Sequence, residues 1–292
     1  MILNQIILGC VVGVYYSLVA MGLVLVYKVS GIVNFAYGNM GMMGAYIALT
    51  FLGKGMNPLV SMLLTIPIAA LMGYVVDRFT MRPLKGISHS SMLIVTLGIM
   101  MILEGIAVQV FGADYKAFPE LVKGKPFIFR VAGGLILLRR QDLLVISIFI
   151  LFSVLMAFLL KFTKMGLAIR AVSEDEQTAR LMGVNSNLVI SVAWMISTSL
   201  SAVVAILGSP KTYISPGMMV HYQIEGFTAA VLGGFESLTG AALGGILLGI
   251  LETFVGDQLG NAFKPTISLA LIVAVLLIKP EGLFGRRKSE KL

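Results

Sequence analysis

The fold class is decided by the segment Asp142-Leu-Leu-Val-Ile-Ser-Ile-Phe-Ile-Leu-Phe-Ser-Val-Leu-Met-Ala-Phe-Leu-Leu160, in which no charged residue follows Asp142. A helix of about 20 predominantly apolar residues is long enough to cross the hydrocarbon core of a bilayer. Similar apolar segments fall at about residues 5–27, 35–53, 58–77, 91–112, 188–208, 223–256 and 265–279. The longest is interrupted by Gly233-Gly-Phe-Glu-Ser-Leu-Thr-Gly240 and is interpreted as two segments. The sequence therefore predicts an all-α polytopic membrane protein, a bundle of about eight or nine transmembrane helices, some of them short or broken.

The composition of the whole chain agrees with a lipid environment. Charged residues make up 12% of the chain, against roughly a quarter in soluble domains, and hydrophobic residues make up 58%. The single cysteine, Cys10, excludes an intrachain disulfide, and neither His89 nor His221 has neighbours at metal-ligand spacing, so no metal site is predicted. The net charge of +8 does not indicate nucleic acid, because the basic residues are scattered without interleaved aromatic residues.

The positions of the basic residues predict the orientation of the chain. Lys and Arg in short loops mark the cytoplasmic side of a membrane protein. Three clusters are basic: Arg78, Arg82 and Lys85; Lys161 and Lys164; and Lys279, Arg286, Arg287, Lys288 and Lys291. All three lie in the cytoplasm if nine segments cross, with the N-terminus outside and the C-terminal tail, residues 280–292, inside. The first segment lacks a basic n-region, so we expect it to be retained as an anchor.

The loop over residues 113–141 is an exception, because it is basic and yet the number of membrane crossings before it places it outside. Pro119 and Pro126 indicate a folded loop rather than a helix, and longer loops follow the charge rule less strictly. Within it, Phe127-Ile-Phe-Arg-Val-Ala-Gly-Gly-Leu-Ile-Leu-Leu138 predicts two short strands joined at Gly133-Gly134. We expect a small external β-hairpin that either caps the bundle or contacts an external partner.

A polar segment, residues 164–187, separates two of the apolar ones. Ser173-Glu-Asp-Glu176 fits a capping box, in which the serine hydroxyl and the last carboxylate each accept a hydrogen bond from a free backbone N–H at a helix start. Gly183 is a natural stop for that helix. The pattern predicts a short cytoplasmic helix from about Glu174 to Met182.

The residues around this helix support the same interpretation. Glu176 and Arg180 are spaced for an ion pair one turn apart. Residues 166–172 are expected to form a further helical turn, and Asn185 or Asn187 can cap the next apolar segment. A loop that is fully solvated rarely needs such capping, so the helix is expected to contact a partner; an amphipathic connector lying on the membrane surface is the alternative.

Four motifs resemble the permease subunits of ABC importers, specifically branched-chain amino acid permeases of the LivH/LivM type. Arg170-Ala-Val-Ser-Glu-Asp175 followed by Ala179-Arg-Leu-Met-Gly183 is similar to their cytoplasmic coupling helix. The others are Gly31-Ile-Val-Asn-Phe-Ala-Tyr-Gly-Asn39 with Gly44-Ala-Tyr46, Gly226-Phe-Thr-Ala-Ala-Val-Leu-Gly-Gly234, and Lys279-Pro-Glu-Gly-Leu-Phe-Gly285. The resemblance spans nearly the whole chain in the right order. The chain departs from it at Asn39, where relatives often carry an acidic residue.

The resemblance implies a single transmembrane permease domain over residues 1–292 in the lipid of a bacterial or archaeal plasma membrane. It implies import of branched-chain amino acids by alternating access, together with a second homologous permease in a heterodimer or homodimer, two ABC ATPase subunits and an extracytoplasmic substrate-binding protein. The residues agree with this division, because no GxxxxGK[ST] phosphate loop occurs in the chain. We therefore expect a transport subunit rather than an enzyme, with ATP and Mg²⁺ bound by its partners and no cofactor of its own.

Two sets of residues are predicted to carry this function. The first contacts the ATPase, with small residues for close approach and charges for orientation: Gly166, Arg170, Glu174, Asp175, Ala179 and Gly183. The second lines the substrate pathway, because polar groups are costly in lipid and usually face the interior: Asn34, Tyr37, Asn39, Thr96 and Glu104. The first three lie among glycines, where a broken helix could expose backbone groups to a zwitterion. Gln109 and Glu252 are further polar groups of this kind, and an interhelical hydrogen bond is the alternative role for each.

Other functions stay open at the level of the sequence. A secondary transporter driven by an ion gradient would also be polytopic and rich in glycine, but it is expected to need acids deep in the membrane and no capped cytoplasmic helix. A permease of the same family for urea, short amides or aromatic acids would differ only in substrate. An intramembrane hydrolase is disfavoured, because neither His is placed near a Ser or Cys nucleophile and no HExxH motif occurs.

Overall fold

The computed structural model describes residues 2–84, 86–131 and 134–285, and most of them are helical. The first helices are α1 (Ile2–Ser30), α2 (Tyr37–Gly53), α3 (Pro58–Val75) and α4 (His89–Phe111). A π-helical turn (Val76–Met81) and a 3₁₀ turn (Arg82–Leu84) continue α3. The hairpin strands β1 (Phe127–Val131) and β2 (Gly134–Leu138) follow α4. The remaining helices are α5 (Arg140–Phe162), α6 (Lys164–Glu174), α7 (Glu176–Leu181), α8 (Ser186–Thr212), α9 (Val220–Gly233), α10 (Leu238–Gln258) and α11 (Lys264–Ile278).

Each apolar segment predicted from the sequence coincides with a helix, and the interrupted one divides into α9 and α10 at residues 234–237. Among the described residues, six helices are long and apolar enough to cross a bilayer: α1, α3, α4, α5, α8 and α10. The estimate of eight or nine crossings also counted the shorter helices α2, α9 and α11. The chain is therefore a multi-pass membrane protein whose bundle mixes long and short apolar helices.

The helix starts are fixed by side chains placed just before them. Asn57 precedes α3, and its Oδ1 accepts a hydrogen bond from the Leu59 backbone N–H at 3.0 Å. Pro58 occupies the first position of α3, where its missing N–H costs nothing. Ser237 caps α10 by accepting from the Gly240 N–H at 3.0 Å. These caps satisfy backbone groups that a helix end leaves free.

The chain divides into two compact units, and unit 1 contains the residues up to Val24, Val122–Phe149 and the residues from His221 onward. Its α1 and α10 approach closely at glycines. A Cβ atom at Gly9 would lie 2.6 Å from the Ile250 Cα, so a larger residue would force the helices apart. Such small-residue contacts are a common way to pack helices in membranes, where lipid provides no hydrophobic drive between them.

The last described residues of unit 1 close the turn between α9 and α10. The Leu283 N–H donates to the Leu232 carbonyl at 2.8 Å, and the Phe284 N–H donates to the Gly233 carbonyl at 3.2 Å. The Lys279 ammonium donates to the Leu283 carbonyl at 2.9 Å. The end of α9, the start of α10 and the end of α11 therefore lie at one end of unit 1.

Unit 2, which contains Leu25–Leu121 and Ile150–Val220, has a core of α2, α3 and α8. Trp194 of α8 is fully buried there. A Cβ atom at Gly73 of α3 would lie 2.6 Å from the Trp194 carbonyl oxygen, so this glycine permits the contact between α3 and α8. The Ser201 hydroxyl of α8 donates to the Tyr37 carbonyl of α2 at 2.7 Å, which satisfies one of the polar groups buried in this core.

The predicted β-hairpin is confirmed. Strands β1 and β2 pair antiparallel, with Phe127 opposite Leu138 and Val131 opposite Gly134. Gly133, predicted at the turn, lies outside the described residues. The Arg140 guanidinium at the start of α5 lies over the Phe127 ring, 5.7 Å from its centroid, and joins the hairpin to that helix.

Candidate functional site

The polar segment of unit 2 folds as two short helices, α6 and α7. Thr163 caps α6, since its hydroxyl oxygen accepts from the Gly166 N–H at 3.0 Å. Gly166, Ile169 and Val172 form the buried face of α6, and the helix packs against α8. A spacing of three residues gives α6 one apolar side and one polar side. The single turn expected over residues 166–172 was an underestimate, because α6 runs over Lys164–Glu174.

The cap of α7 differs from the predicted one. Asp175 begins the helix: its Oδ1 accepts from the backbone N–H groups of Gln177 at 2.8 Å and Thr178 at 3.2 Å. Ser173 lies inside α6, where its hydroxyl donates to the Arg170 carbonyl at 2.8 Å. The predicted capping box is therefore wrong, and Glu174 ends α6. Ser and Asp are both good caps, and burial of Val172 keeps α6 helical past the serine.

The other local predictions for this segment are confirmed. Arg180 donates to Glu176 Oε1 at 2.6 Å, one turn along α7. Gly183 follows the helix with φ +85°, a left-handed conformation that glycine adopts without a steric penalty. Asn185 Oδ1 accepts from the Leu188 N–H at 3.1 Å and caps α8. The segment is thus a tightly specified helix pair rather than an irregular loop.

The structure separates the six predicted ATPase-contact residues into two groups. Gly166 and Ala179 are buried. A Cβ atom at Gly166 would lie 2.6 Å from the Leu160 Cα, so this glycine allows α6 to fold back against the end of α5. The other four are exposed: Arg170, Glu174, Asp175 and Gly183. The small residues therefore seat the helix pair on the bundle, while the charged ones face outward.

Two exposed apolar residues at the end of α7 escaped the sequence reasoning. Leu181 is 88% exposed and Met182 is 81% exposed, and both adjoin the exposed Gly183. Large apolar side chains exposed together on a charged segment favour a contact with another protein or with the membrane surface. We refer to Leu181, Met182 and Gly183 as the α7 patch. The sequence signal for this patch is the apolar pair Leu181 and Met182, which follows the buried Ala179 closely and directly precedes the glycine that ends the helix.

Another part of the α7 surface borders a cavity of about 560 Å³ within unit 2. Glu176, Gln177 and Arg180 contribute to its wall from α7. The remaining lining comes from the ends of α1, α3, α4 and α8 and the segments beside them: Ser30, Ile32, Asp77, Met81, Gly86, Ile87, Met92, Ile190 and Trp194. A displacement of α7 would therefore change the shape of a cavity formed at the ends of four apolar helices.

A buried ion pair fixes one wall of this cavity. Asp77 is 1% exposed, and its Oδ2 accepts from the Arg82 guanidinium at 3.1 Å and from the Ser191 hydroxyl at 2.5 Å. Arg82 also donates to the Asn187 carbonyl at 3.3 Å. The pair ties the turns that follow α3 to the first turns of α8. It gives Arg82, predicted only as a cytoplasmic marker, a structural role.

Four of the five predicted pathway residues gather at the break between α1 and α2, residues 31–36. Asn34, Tyr37 and Thr96 are almost completely buried, and Asn39 is 7% exposed. The Phe35 N–H donates to Thr96 Oγ1 at 3.3 Å, and Asn39 Nδ2 donates to the Met100 carbonyl at 3.1 Å. The break thus carries backbone and side-chain polar groups against α4, and the role of these groups in a substrate pathway stays a prediction.

Glu104 does not join this cluster. It lies on α4 one turn beyond Met100, but its side chain is exposed on the surface of unit 2. The eight-residue spacing from Thr96 suggested a shared face, yet Thr96 is fully buried. The helical rotation over eight residues is about 80° away from two full turns, which is enough to carry Glu104 off the buried face.

Contacts between distant parts of the chain show which helix ends lie together at each end of unit 2. Lys116 and Ile214 pair through backbone hydrogen bonds of 2.9 and 2.8 Å, so the residues after α4 and after α8 lie at one end. The contact of Arg82 with Asn187 places the residues after α3 and before α8 together. The cavity joins α7 to that second end. Unit 2 therefore has an α7 end and a Lys116 end.

A multi-pass helical bundle of this kind, with a polar break between two helices and a capped helix pair, is compatible with a membrane transport permease. The chain belongs to the family described as branched-chain amino acid transport system, permease component, whose model matches residues 5–279. The match covers every apolar helix except the first three residues of α1.

Individual relatives agree with the family match. The chain is 35% identical to the high-affinity branched-chain amino acid transport system permease protein BraD of Pseudomonas aeruginosa, over 99% of this chain and 98% of that protein. It is 30% identical to the permease protein LivH of Escherichia coli, over 99% and 97%. The fructose import permease protein FruF of Bifidobacterium longum is 22% identical over 90% and 73%.

A solved structure shares the fold. PsaBC from Streptococcus pneumoniae in complex with Fab matches with a TM-score of 0.50 and 13% sequence identity, covering 94% of this chain and 91% of that chain. At this identity the likeness concerns the arrangement of helices alone.

Proposed function

We propose that this chain is the membrane-spanning permease of an importer for branched-chain amino acids, driven by ATP that partner subunits hydrolyse. The observation that carries the proposal is the position of α7 between an exposed patch and a cavity. Leu181 and Met182 are exposed, while Glu176 and Arg180 border the cavity. A helix so placed can receive a push at its exposed C-terminal end and transmit it to the helices that line the cavity.

The proposed orientation puts the α7 end of unit 2 in the cytoplasm. Arg78, Lys161 and Lys164 are exposed at the helix ends on that side, and positive charge accumulates on cytoplasmic loops. The N-terminus then lies outside and the tail over residues 280–292 inside, in the plasma membrane of a bacterium or archaeon. Lys85, which belongs to the same predicted cluster, lies outside the described residues, as do the basic residues from Arg286 onward.

The proposed mechanism is alternating access. Closure of an ATPase pair presses on the α7 patch, α6 and α7 move together because both pack on α8, and the cavity beneath them changes shape. The access of the pathway then switches between the two sides of the membrane. Nucleotide can drive this switch only by binding one conformation of the complex more tightly than the other.

The proposed pathway passes the break between α1 and α2. Ile32 of the break lines the cavity beside α7, and Asn34 and Thr96 lie behind it. The Tyr37 hydroxyl is buried and finds no hydrogen-bond partner within the described residues. A zwitterionic substrate could use this hydroxyl and the irregular backbone of the break as the polar contacts that lipid-facing helices lack.

The proposed partners are a second homologous permease, two ABC ATPases and an external binding protein. The α7 patch is the proposed ATPase contact. Glu104 supports a further protein contact, because it is exposed on α4 beside Met101 and Ile102, which are 69% and 62% exposed. An acid in that position would be costly against lipid, so we assign this face to the second permease. The hairpin of β1 and β2 faces the binding protein's side.

Site-directed crosslinking tests the ATPase contact in the assembled complex. Cys10 is replaced by Ser, and a single cysteine is introduced by Met182→Cys or, as a control, by Tyr115→Cys, which is 76% exposed near the other end of unit 2. The proposal predicts a crosslink from position 182 to an ATPase subunit and none from position 115. A crosslink from 115 but not from 182 would reverse the assignment.

The substrate is tested by competition. Proteoliposomes containing the complex, supplied with its binding protein, should take up labelled leucine, and isoleucine and valine should compete. Competition by urea, short amides or aromatic acids in preference to these would move the chain to another substrate class of the same family.

A further inference from the structure

Two acidic residues lie buried inside the apolar helices of unit 1. Glu225 of α9 is 1% exposed and Glu252 of α10 is 2% exposed. They are close enough to interact electrostatically with each other. Buried acids within membrane helices are costly and therefore mark functional sites by default. The family match does not say what these two carboxylates do.

Their surroundings come from four helices. The Tyr16 hydroxyl of α1 lies beside Glu252 and 3.1 Å from His221 Nε2. His221 Nδ1 is 3.9 Å from Glu225 Oε1. Ser268 of α11 adjoins Glu225 and is 1% exposed. The cluster therefore draws side chains from α1, α9, α10 and α11, and His221 leaves it exposed on one side, since its side chain is 53% exposed.

Three acceptors in this cluster have no hydrogen bond to any described residue. They are Glu225 Oε2, Glu252 Oε2 and the Ser268 hydroxyl oxygen. A buried acceptor without a donor costs several kcal/mol in a medium without water, so folded proteins rarely leave three together. A group that donates several hydrogen bonds and carries positive charge would satisfy these acceptors, because two of them belong to carboxylates.

Counted with His221 neutral, the charges of the cluster call for a single positive charge. Glu225 and Glu252 contribute two negative charges when ionised, and Lys264 at the start of α11 acts on Glu225 with one positive charge. The sum leaves one negative charge to be neutralised. A primary ammonium group carries one positive charge and three N–H donors, which matches the three unsatisfied acceptors.

We propose that Glu225, Glu252 and Ser268 form a subsite for the α-ammonium group of the transported amino acid. The inference rests on the proposed function and adds the residues that recognise one end of the substrate. It also gives Tyr16 a positioning role, since its hydroxyl links Glu252 to His221 and holds that carboxylate in place.

The location of the cluster agrees with this role. Glu225 lies five residues after the start of α9, Glu252 six residues before the end of α10 and Ser268 four residues after the start of α11. At about 1.5 Å per residue, all three lie roughly 6 to 9 Å from the same end of unit 1. That end is opposite the turn closed by Leu283 and Phe284, and in the proposed orientation it faces the outside, where substrate arrives.

The test uses ligands that differ only in their charged ends. The purified complex of permease, its second permease and ATPases, without binding protein, is heated with leucine, isopentylamine or 4-methylpentanoate. The subsite predicts that leucine and isopentylamine raise the melting temperature of the wild-type complex and that 4-methylpentanoate, which lacks the ammonium group, does not. Protection by Na⁺ in place of choline, equal to that by leucine, would instead assign the cluster to a metal cation and overturn the proposal.

Variants connect this protection to the named residues. Glu225→Gln and Glu252→Gln should each abolish protection by leucine and lower leucine uptake about tenfold or more, the effect expected from losing a charged hydrogen bond. Asp257→Asn is the matched control, because Asp257 is an exposed acid on the same helix whose hydrogen bond from Gln5 an amide can still accept. It should retain both protection and uptake.

Ser268→Ala keeps the proposal falsifiable if the glutamine variants fail to assemble. It removes one acceptor and no charge, so it should raise the leucine concentration for half-maximal protection about fivefold. Unchanged protection in Ser268→Ala and in the assembled glutamine variants would overturn the subsite. If wild-type uptake is itself independent of ATP, the proposed function fails instead, so the two outcomes are distinguishable.

Discussion

Asp77 in unit 2 and Glu225 with Glu252 in unit 1 are equally buried acids with opposite surroundings. Asp77 Oδ2 is held by Arg82 and Ser191, whereas one oxygen of each glutamate lacks a donor among the described residues. A carboxylate whose hydrogen bonds are complete within the chain stabilises the fold. A carboxylate whose hydrogen bonds are incomplete needs another explanation, and a role in binding is the explanation that its chemistry favours.

The largest effect on stability is expected from Arg82→Ala. The substitution leaves Asp77 buried and unpaired, so it should lower the free energy of unfolding by about 3 kcal/mol, the usual result of removing one partner from a buried ion pair. Denaturation in mixed detergent micelles measures this change. Arg78→Ala removes an exposed arginine from the same turn and should change stability by less than about 0.5 kcal/mol. Equal effects of the two would show that the ion pair is not structural.

Glu225→Gln should behave in the opposite way. Removing a buried charge that has no complete set of partners should leave the free energy of unfolding unchanged or raise it by about 1 kcal/mol, although uptake is lost. The same denaturation experiment measures it. A loss of stability as large as that of Arg82→Ala would mean that the glutamate cluster is a structural network like that of Asp77.

The α7 patch extends the comparison to apolar groups without partners. Leu181→Ser combined with Met182→Ser should lower ATP-driven uptake about tenfold, because central apolar contacts dominate protein interfaces. Stability should change by less than about 0.5 kcal/mol, since both side chains are exposed. Tyr115→Ser, an exposed site near the other end of unit 2, is the control and should retain uptake. Full uptake in the double variant would remove the patch from the ATPase contact.

The smallest expected effect concerns Asp175, a carboxylate whose hydrogen bonds are local. Asp175→Ala should destabilise α7 by about 1 kcal/mol, the usual cost of losing a helix cap. Hydrogen exchange at the Gln177 and Thr178 amides, which bond to Asp175, should then accelerate about fivefold. Ser173→Ala should leave these amides unchanged. Faster exchange in Ser173→Ala than in Asp175→Ala would restore the capping box predicted from the sequence.

The sequence was sufficient for features that depend on local composition. Long apolar segments predict helices in lipid because a single segment satisfies all of its own backbone hydrogen bonds there only as a helix. Gly133-Gly134 between two β-branched or aromatic runs predicted the hairpin, and Gly183 predicted the end of α7. Each of these follows from a few neighbouring residues, and the structure agrees with each.

The sequence was insufficient where residues that are distant in the chain determine the local structure or the burial of a side chain. Ser173 and Asp175 are equivalent as caps in isolation, and packing of α6 on α8 selects Asp175. Glu104 and Glu252 look alike as acids in apolar segments, but tertiary packing exposes the first and buries the second. Glu225 was overlooked because its neighbours Tyr16 and Ser268 are far away in the chain and meet it only in the fold, although His221 lies one helical turn before it.

The central claim is that this permease moves substrate with energy received from partner ATPases. The direct measurement is uptake of labelled leucine into proteoliposomes that contain the complete complex, with ATP trapped inside and binding protein outside. We expect uptake that requires the internal ATP and persists when ionophores dissipate all ion gradients. Uptake that proceeds without ATP and collapses with the ionophores would contradict it, and would identify the chain as a transporter driven by an ion gradient.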